Sequence, residues 1–140
     1  MEKPIIVSIL GAGYWGPNII RNLINNSNFD VRYVCDRDPE RLKHIKNIFP
    51  NVSVVPDFKT VLDDPEVQAV VIATEIRSHE ALGLQALKAK KHVFIEKPLA
   101  SSSKGARKLV DAAAKNKVTL MVGHTFLYNS AVRKLKEYIQ

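Results

Sequence analysis

Three glycines near the N-terminus have the spacing of a phosphate-binding loop. Gly11, Gly13 and Gly16 stand between a mostly apolar segment, long enough for one buried strand, and a helix-like segment. In such a strand-turn-helix unit the first glycine permits a tight turn, the second lets the backbone approach a diphosphate, and the third lets the helix pack near the strand. Unsatisfied N–H groups at the helix N-terminus favour an anion. The spacing predicts a phosphate site, and a glycine turn that only reverses the chain is the alternative.

An acidic residue follows at the distance expected of a ribose ligand. Asp36 ends the next predicted strand and lies 20 residues after Gly16. An acid at this distance accepts hydrogen bonds from ribose hydroxyls, and its charge would repel a 2′-phosphate, so we predict that the cofactor is NAD rather than NADP. Arg37 keeps NADP open as the alternative, because a guanidinium there could hold a 2′-phosphate or stack on adenine. For Asp36 itself, a cap or turn role is the alternative.

The composition is that of one globular domain. The chain has 140 residues, 46% of them hydrophobic, and shows no low-complexity segment. We therefore predict a single domain over residues 1–140. No apolar run approaches the roughly 18 residues of a membrane span, and the N-terminus lacks a secretory signal. We expect a cytoplasmic protein without a membrane partner.

Charged residues, the cysteine and the histidines indicate no further ligand. Lys and Arg total 21 against 14 Asp and Glu, a formal net charge of +7. The basic residues are spread out, and those such as Lys88, Lys90 and Lys91 stand where a predicted helix ends, so we expect solvated helix ends and no nucleic-acid partner. Cys35 lies in a predicted buried strand and should be inert. The four histidines are too scattered to indicate a metal site.

Strand-like and helix-like segments alternate six times along the chain. Apolar runs predict strands, and helical periodicity with capping residues predicts helices. The predicted strands are 5–10, 31–35, 52–55, 67–74, 92–95 and 118–122, and the predicted helices are 16–24, 39–48, 58–62, 78–89, one that residues 101–103 cap, and 131–138. In the fifth helix we predict that Ala106, Leu109, Val110 and Ala113 face inward. Right-handed crossovers then favour an α/β fold, a doubly wound parallel Rossmann sheet in the order 3-2-1-4-5-6.

The residues that follow the predicted strands share one edge of that sheet. Ligands bind beyond the carboxyl ends of the strands, where the order reverses between strands 1 and 4. The residues after Leu10, Cys35, Thr74, Ile95 and Val122 all lie at this edge. It is therefore the predicted place of the site.

Taken together, the motifs resemble those of the Gfo/Idh/MocA family of NAD(P)-dependent oxidoreductases over the whole chain. They are Gly11-Ala12-Gly13-Tyr14-Trp15-Gly16, Ala73-Thr74 followed by His79, Lys91-His92-Val93-Phe94-Ile95-Glu96-Lys97-Pro98, and Val122-Gly123-His124-Thr125-Phe126. The third of these is specific, and the segment from Gly123 to Asn129 is similar to members that act on sugars, including nucleotide-sugar oxidases. Glu75 stands where the family usually has proline, so the resemblance does not predict the shape of the loop after Thr74.

The resemblance implies roles for individual residues. Lys97 would lie beside the nicotinamide and, as a neutral amine, take the proton of a reacting hydroxyl as hydride leaves for NAD, so it is the predicted catalytic residue. Glu96 would orient Lys97 or the cofactor ribose, and the Lys97-Pro98 bond is often cis in the family. His79 would lie near the nicotinamide, with a capping or structural role as the alternative. The predicted cofactor-binding residues are Gly11, Gly13, Tyr14, Trp15, Gly16, Asp36, Arg37, Thr74, His79, Glu96 and Lys97.

Family members resemble one another as two-domain chains, in which a second α/β domain supplies most of the substrate pocket. The resemblance implies that this sequence is the NAD-binding half of an enzyme that transfers hydride between a sugar, polyol or nucleotide-sugar hydroxyl and NAD, as a fragment or a truncated gene product. A non-catalytic NAD-binding module that docks a partner domain is the alternative. We expect the chain alone to bind NAD without turnover and to form a homo-oligomer.

After the sixth strand, some side chains could line the site and others could belong to the core. His124, Thr125 and Tyr128 could line the nicotinamide pocket, whereas Phe126 and Leu127 could equally belong to the core.

Overall fold

A six-stranded parallel sheet forms the centre of the protein. A computed structural model describes residues 3–140, so residues 1 and 2 of the predicted domain lie outside the described part. The strands are β1 (Ile5–Leu10), β2 (Phe29–Cys35), β3 (Ser53–Val55), β4 (Ala69–Ile72), β5 (His92–Ile95) and β6 (Leu120–Val122). They are ordered β3-β2-β1-β4-β5-β6, and every neighbouring pair is parallel. The predicted fold class and strand order are confirmed.

Helices cover both faces of the sheet. They are α1 (Gly16–Ile24), α2 (Pro39–Ile48), α3 (Phe58–Asp63), α4 (Ile76–Lys88), α5 (Ser103–Asn116) and α6 (Ser130–Ile139), with a short 3-10 helix at Thr125–Tyr128. Alternate residues of β1 point to opposite faces. Val7 and Ile9 pack with Ile20 of α1 on one face. Leu10 belongs to the second core, which contains Leu109 of α5. Two buried cores therefore hold β1 and its neighbours in place from both sides.

Four helices begin with a side-chain cap, and two do not. Asp38, Asp57, Ser102 and Asn129 each accept a hydrogen bond from a backbone N–H in the first turn of α2, α3, α5 and α6. The residues before α1 and α4, Trp15 and Glu75, make no such bond. Both uncapped helices follow the two strands between which the strand order reverses. Their first N–H groups remain available to a ligand.

Three of the four residues predicted to face inward on the fifth helix do so, and one does not. Leu109 and Ala113 are buried and Ala106 is partly buried, whereas Val110 is 49% exposed, so the inward prediction for Val110 was wrong. Gly105 is buried as well, because α5 approaches α4 so closely there that a Cβ would stand 2.3 Å from the Glu80 carboxylate. The buried face therefore extends toward Gly105 and not toward Val110.

Lys91 is not a solvated residue at a helix end, as its position in sequence had suggested. Its side chain is buried, and its Nζ donates a 2.6 Å hydrogen bond to the backbone oxygen of Asp64. The ammonium group therefore joins the segment before β5 to the loop after α3. Lys91 has a structural role at the edge opposite the strands' carboxyl ends.

The C-terminal part of the chain lies largely on the surface. Phe126 and Leu127 are exposed, and α6 has no buried residue. A core role for these two side chains is therefore not what the described structure shows. Within residues 3–140, none of the helices combines the length and the apolar character needed to cross a membrane.

Candidate functional site

An open cleft of about 920 Å³ lies along the carboxyl edge of the sheet. It spans the point between β1 and β4 at which the strand order reverses. Nine of the predicted cofactor-binding residues line it, namely Gly11, Gly13, Tyr14, Trp15, Asp36, Arg37, Thr74, Glu96 and Lys97. The fold therefore brings most of the predicted set together, whereas Gly16 and His79 are not among the lining residues.

The three glycines of the loop have different surroundings. Gly11 has φ +97°, and a Cβ there would lie 2.6 Å from the backbone oxygen of Ala73. A Cβ at Gly16 would lie 2.4 Å from the backbone oxygen of Gly11. A Cβ at Gly13 would meet nothing closer than the Arg41 guanidinium at 3.5 Å. Packing of the protein requires the first and third glycines, but only a ligand in the cleft would require the second.

The first turn of α1 suits an anion. Trp15 provides no side-chain cap, no acidic residue lies in that turn, and Pro17 contributes no N–H. Tyr14 and Trp15 are both exposed, and their rings meet edge to face with centroids 5.6 Å apart. The free N–H groups and the helix dipole point into a cleft with aromatic side chains at its rim.

Asp36 is held firmly at the end of β2. Its Oδ2 accepts a 2.8 Å hydrogen bond from the N–H of Ala12, and its Oδ1 accepts one of 2.9 Å from the N–H of Asp38. A carboxylate offers about four acceptor positions; these two bonds and an Arg41 Nη1 contact at 3.5 Å engage three of them, so about one remains for a ligand. The acid is thus oriented by the glycine loop itself, with acceptor capacity left on the cleft side.

Arg41 also lines this part of the cleft, and sequence reasoning missed it. Its Nη1 lies 3.5 Å from Asp36 Oδ2, and its Nε lies 3.4 Å from Asp38 Oδ2. Asp38 caps α2 and thereby places Arg41 in the first turn. The Asp38-Pro39 pair before the helix was a usable signal, because it fixes where α2 begins. Arg37, by contrast, is exposed at the lip of the cleft.

The end of β4 contributes a hydroxyl pair. Ser78 donates its hydroxyl hydrogen to the backbone oxygen of Glu75 at 2.8 Å, and its Oγ lies 2.7 Å from Thr74 Oγ1. Because Ser78 has only one hydroxyl hydrogen, Thr74 is the donor in the second bond. The lone pairs of Thr74 Oγ1 therefore remain available in the cleft.

His79 lies beneath the cleft. It is 2% exposed, its Nδ1 is 2.9 Å from the backbone oxygen of Pro98, and its Nε2 is 3.0 Å from that of Thr74. A carbonyl only accepts, so each contact is a hydrogen bond only where the ring carries an N–H. The ring joins the end of β4 to the loop after β5. This geometry favours the structural alternative over direct contact with a cofactor.

Lys97 stands at the mouth of the cleft after β5. The Lys97-Pro98 peptide bond is cis, as expected from the resemblance. Lys97 is exposed, and its backbone N–H donates to Glu96 Oε2 at 3.2 Å. Glu96 therefore contacts the backbone of Lys97, and the exposed Lys97 is among the residues that line the cleft. It can reach a ligand there.

An apolar group of side chains lines the cleft beyond Asp36, and sequence reasoning did not single it out. It consists of Phe58, Leu62 and Leu82, each partly buried against the core. Cys35 also borders the cleft, and burial together with the Asp36 charge raises the pKa of its thiol to about 11. The thiol is thus protonated and inert at neutral pH. A flat apolar group can pack against this wall.

The residues after β6 do not contribute to the cleft. His124, Thr125 and Tyr128 are exposed and lie outside the set that lines it. Among residues 3–140, no three His, Cys, Asp or Glu side chains stand close enough together to hold a metal ion.

Comparisons with known proteins show the family of this chain. Residues 5–124 match the model of a family described as "Oxidoreductase family, NAD-binding Rossmann fold". The chain is 38% identical to inositol 2-dehydrogenase of Acidothermus cellulolyticus over 79% of this chain and 33% of the relative. The crystal structure of GenD2 from gentamicin A biosynthesis in complex with NAD superposes with a TM-score of 0.88 at 32% identity, covering 93% of this chain and 37% of that one. KijD10, a 3-ketoreductase from Actinomadura kijaniata solved with NADP and TDP-benzene, gives a TM-score of 0.89 at 25% identity, covering 97% and 42%.

The chain thus spans between about a third and two fifths of the length of these relatives. The family match covers all six strands of the sheet and ends before the 3-10 helix and α6. It includes the glycine loop, Asp36 and Lys97. On these grounds the chain belongs to the Gfo/Idh/MocA oxidoreductase family, whose members share an NAD-binding Rossmann fold.

Proposed function

We propose that this chain is the NAD-binding part of an oxidoreductase that transfers a hydride between NAD and the hydroxyl-bearing carbon of a sugar, a polyol or a nucleotide sugar. The observation that supports this proposal is the contact between the glycine loop and Asp36. A Cβ at Gly13 would meet no atom closer than 3.5 Å, and the Ala12 N–H orients the acid. A diphosphate beside Gly13 and a ribose on Asp36 would be neighbours in one dinucleotide. The apolar wall of Phe58, Leu62 and Leu82 then suits the adenine.

We propose NAD rather than NADP as the cofactor. The Asp36 carboxylate is held by two backbone N–H groups and the Arg41 guanidinium, and about one acceptor position is left for a ribose hydroxyl. A 2′-phosphate on the ribose would bring a second negative charge against it. GenD2, at 32% identity, was solved with NAD, whereas KijD10, at 25%, was solved with NADP.

Lys97 is the proposed proton acceptor. When bound, NAD supplies the hydride acceptor at its nicotinamide ring. As the hydroxyl carbon gives up its hydrogen with the electron pair, the neutral amine of Lys97 takes the hydroxyl proton, and a carbonyl forms. In the reverse direction the ammonium returns the proton to the new alkoxide oxygen. Lys97 is in reach of the cleft, and its backbone is held by Glu96.

We further propose that residues 1–140 act as one cofactor-binding domain and that other residues hold the substrate. Positioning a reacting carbon against the nicotinamide can contribute about 7 to 11 kcal/mol to rate acceleration. The cleft that the described residues form is open, and Lys97 is exposed in it. The relatives are between two and three times as long as the matched segment, which leaves ample chain for such a wall.

A paired experiment tests the proposal. NADH is titrated calorimetrically into the chain, and the same preparation is incubated with NAD and a panel of inositols, polyols and nucleotide sugars while NADH absorbance is followed. We expect NADH binding without turnover. A failure to bind NADH would refute the proposed function, whereas efficient NADH production that is lost in Lys97→Ala would show that these residues already contain the substrate site.

A further inference from the structure

We propose that Arg41 is a cofactor-binding residue that acts on the diphosphate, and that it is not the reader of a 2′-phosphate. This inference rests on the proposed function. It concerns the guanidinium that lies between Asp36 and Asp38 beside Gly13. Neither the glycine spacing nor the acid at the end of β2 predicted a cation at this point.

The place of the guanidinium is the first argument. Arg41 Nη1 is the atom nearest to where a side chain at Gly13 would begin, at 3.5 Å. Gly13 is also the glycine whose missing side chain leaves room for a diphosphate. A phosphate group against the Gly13 backbone would therefore come within hydrogen-bonding reach of Arg41.

The second argument is the number of donors left over. A guanidinium has five N–H groups in a planar fork, and contacts with Asp36 and Asp38 engage one at Nη1 and one at Nε. About three N–H groups remain. Because the fork matches two phosphate oxygens at once, Arg41 can keep its carboxylate contacts and still bind a phosphate.

Charge supplies the third argument. Asp36 and Asp38 place two negative charges beside the phosphate loop, and Arg41 is the cation that pairs with both. Without it, a diphosphate would approach two carboxylates instead of a partly neutralised group. Loss of Arg41 should therefore weaken every ligand that carries the diphosphate, by about tenfold if one charge-assisted hydrogen-bond pair is lost.

Lys43 provides the contrast. It lies two residues after Arg41 on α2, it is exposed, and its Nζ stands 3.9 Å from Glu40 Oε2. Lys43 is not among the residues that line the cleft. It is thus a matched cation on the same helix whose removal should leave the diphosphate contact intact.

The test compares R41A, R41K and K43A with the unaltered chain. Binding of NADH, NADPH, ADP and adenosine is measured by calorimetry, and unfolding in urea checks that each variant is folded. We expect R41A to weaken NADH, NADPH and ADP by a similar factor of about ten and to leave adenosine within twofold. R41K should fall between R41A and the unaltered chain, and K43A should bind NADH within twofold.

Each other result overturns the inference. A loss confined to NADPH would make Arg41 a 2′-phosphate reader, and an equal loss for adenosine would limit it to positioning Asp36 or contacting the base. NADH binding that is indifferent to R41A would remove Arg41 from the site while leaving the proposed function in place. Absence of NADH and ADP binding in the unaltered chain would refute the proposed function and this inference together.

Discussion

The N–H of Ala12 donates a 2.8 Å hydrogen bond to the carboxylate of Asp36, so the glycine loop and the acid at the end of β2 are held together. The sequence separates these two residues by 24 positions. Their contact means that a change in the acid alters the glycine loop as well as the proposed acceptor for the ribose. Binding and stability effects at Asp36 must therefore be measured together.

Asp36→Ala should weaken NADH and reduce its advantage over NADPH. The substitution removes the acceptor for ribose hydroxyls and the charge that repels a 2′-phosphate. It also leaves two backbone N–H groups without their partner, which should lower the free energy of unfolding by about 1 to 2 kcal/mol. Calorimetric titration and urea unfolding measure the two effects.

Asp38→Ala is the matched control for that change. Asp38 caps α2 by accepting from the N–H groups of Glu40 and Arg41, so its loss should cost about 1 kcal/mol of stability. Since Asp38 is not the predicted ribose acceptor, the ratio of NADH to NADPH affinity should stay close to that of the unaltered chain. An unchanged ratio in Asp36→Ala as well would contradict the assignment.

His79→Phe should destabilise the fold strongly. The buried ring contacts the backbone oxygens of Thr74 and Pro98, and phenylalanine has no N–H to donate to either carbonyl. We expect the free energy of unfolding to fall by about 2 kcal/mol or more. His44→Phe, at an exposed position on α2, should change it by less than about 0.5 kcal/mol. Equal effects of the two substitutions would argue against the bridging role.

Much of the fold and most of the site follow from local patterns in the sequence. The sequence places Gly13, Asp36 and Lys97 at one edge of the sheet, because each lies within three residues of the end of an apolar strand and parallel strands end at the same side. The position of Arg41 was missed, since its place depends on which way the first turn of α2 faces. That direction is set by the Asp38 cap and by the distance between α2 and the glycine loop.

Tertiary contacts explain the remaining errors. The apolar spacing of α5 fits either of two adjacent faces, and only the close approach of Gly105 to Glu80 decides that Val110 is exposed. For His79, a histidine near the site could contact a ligand or the backbone, and the two carbonyls that surround it come from segments 19 and 5 residues away. The spacing of residues in the sequence predicts neither the approach of Gly105 to Glu80 nor the contacts of His79 with these carbonyls.

Ser8→Ala should stabilise the protein. Ser8 is buried within β1, and among the described residues its hydroxyl has no hydrogen-bond partner. Removing an unsatisfied buried hydroxyl should raise the free energy of unfolding by about 1 kcal/mol, measured in urea. Ser101→Ala, at an exposed position, should have little effect. A destabilised Ser8→Ala would show that the hydroxyl is satisfied in solution.

The free energy of unfolding should fall at alkaline pH because the Cys35 thiol loses its proton more readily in the unfolded chain. Burial raises the pKa of its thiol from 9.0 to about 11, so between these values the folded chain retains a proton that the unfolded chain has lost. Its stabilising contribution is fully present below pH 9 and declines as the pH rises toward 11. The difference in free energy of unfolding between the unaltered chain and Cys35→Ala should shrink over that window. Thiol labelling at pH 9 should also be much slower in the folded chain than in urea, and equal rates would contradict the buried thiol.

The affinity of Gly13→Ala for NADH tests the central claim most directly. A methyl group at Gly13 has room in the protein itself, so the free energy of unfolding should change by less than about 0.5 kcal/mol. The same methyl group would occupy the space in which we place the diphosphate, so calorimetry should show NADH affinity reduced about tenfold or more. Gly16→Ala, where the added atom would stand 2.4 Å from a backbone oxygen, should instead destabilise the fold. A stable Gly13→Ala that binds NADH as tightly as the unaltered chain would contradict the claim that this cleft holds the diphosphate of NAD.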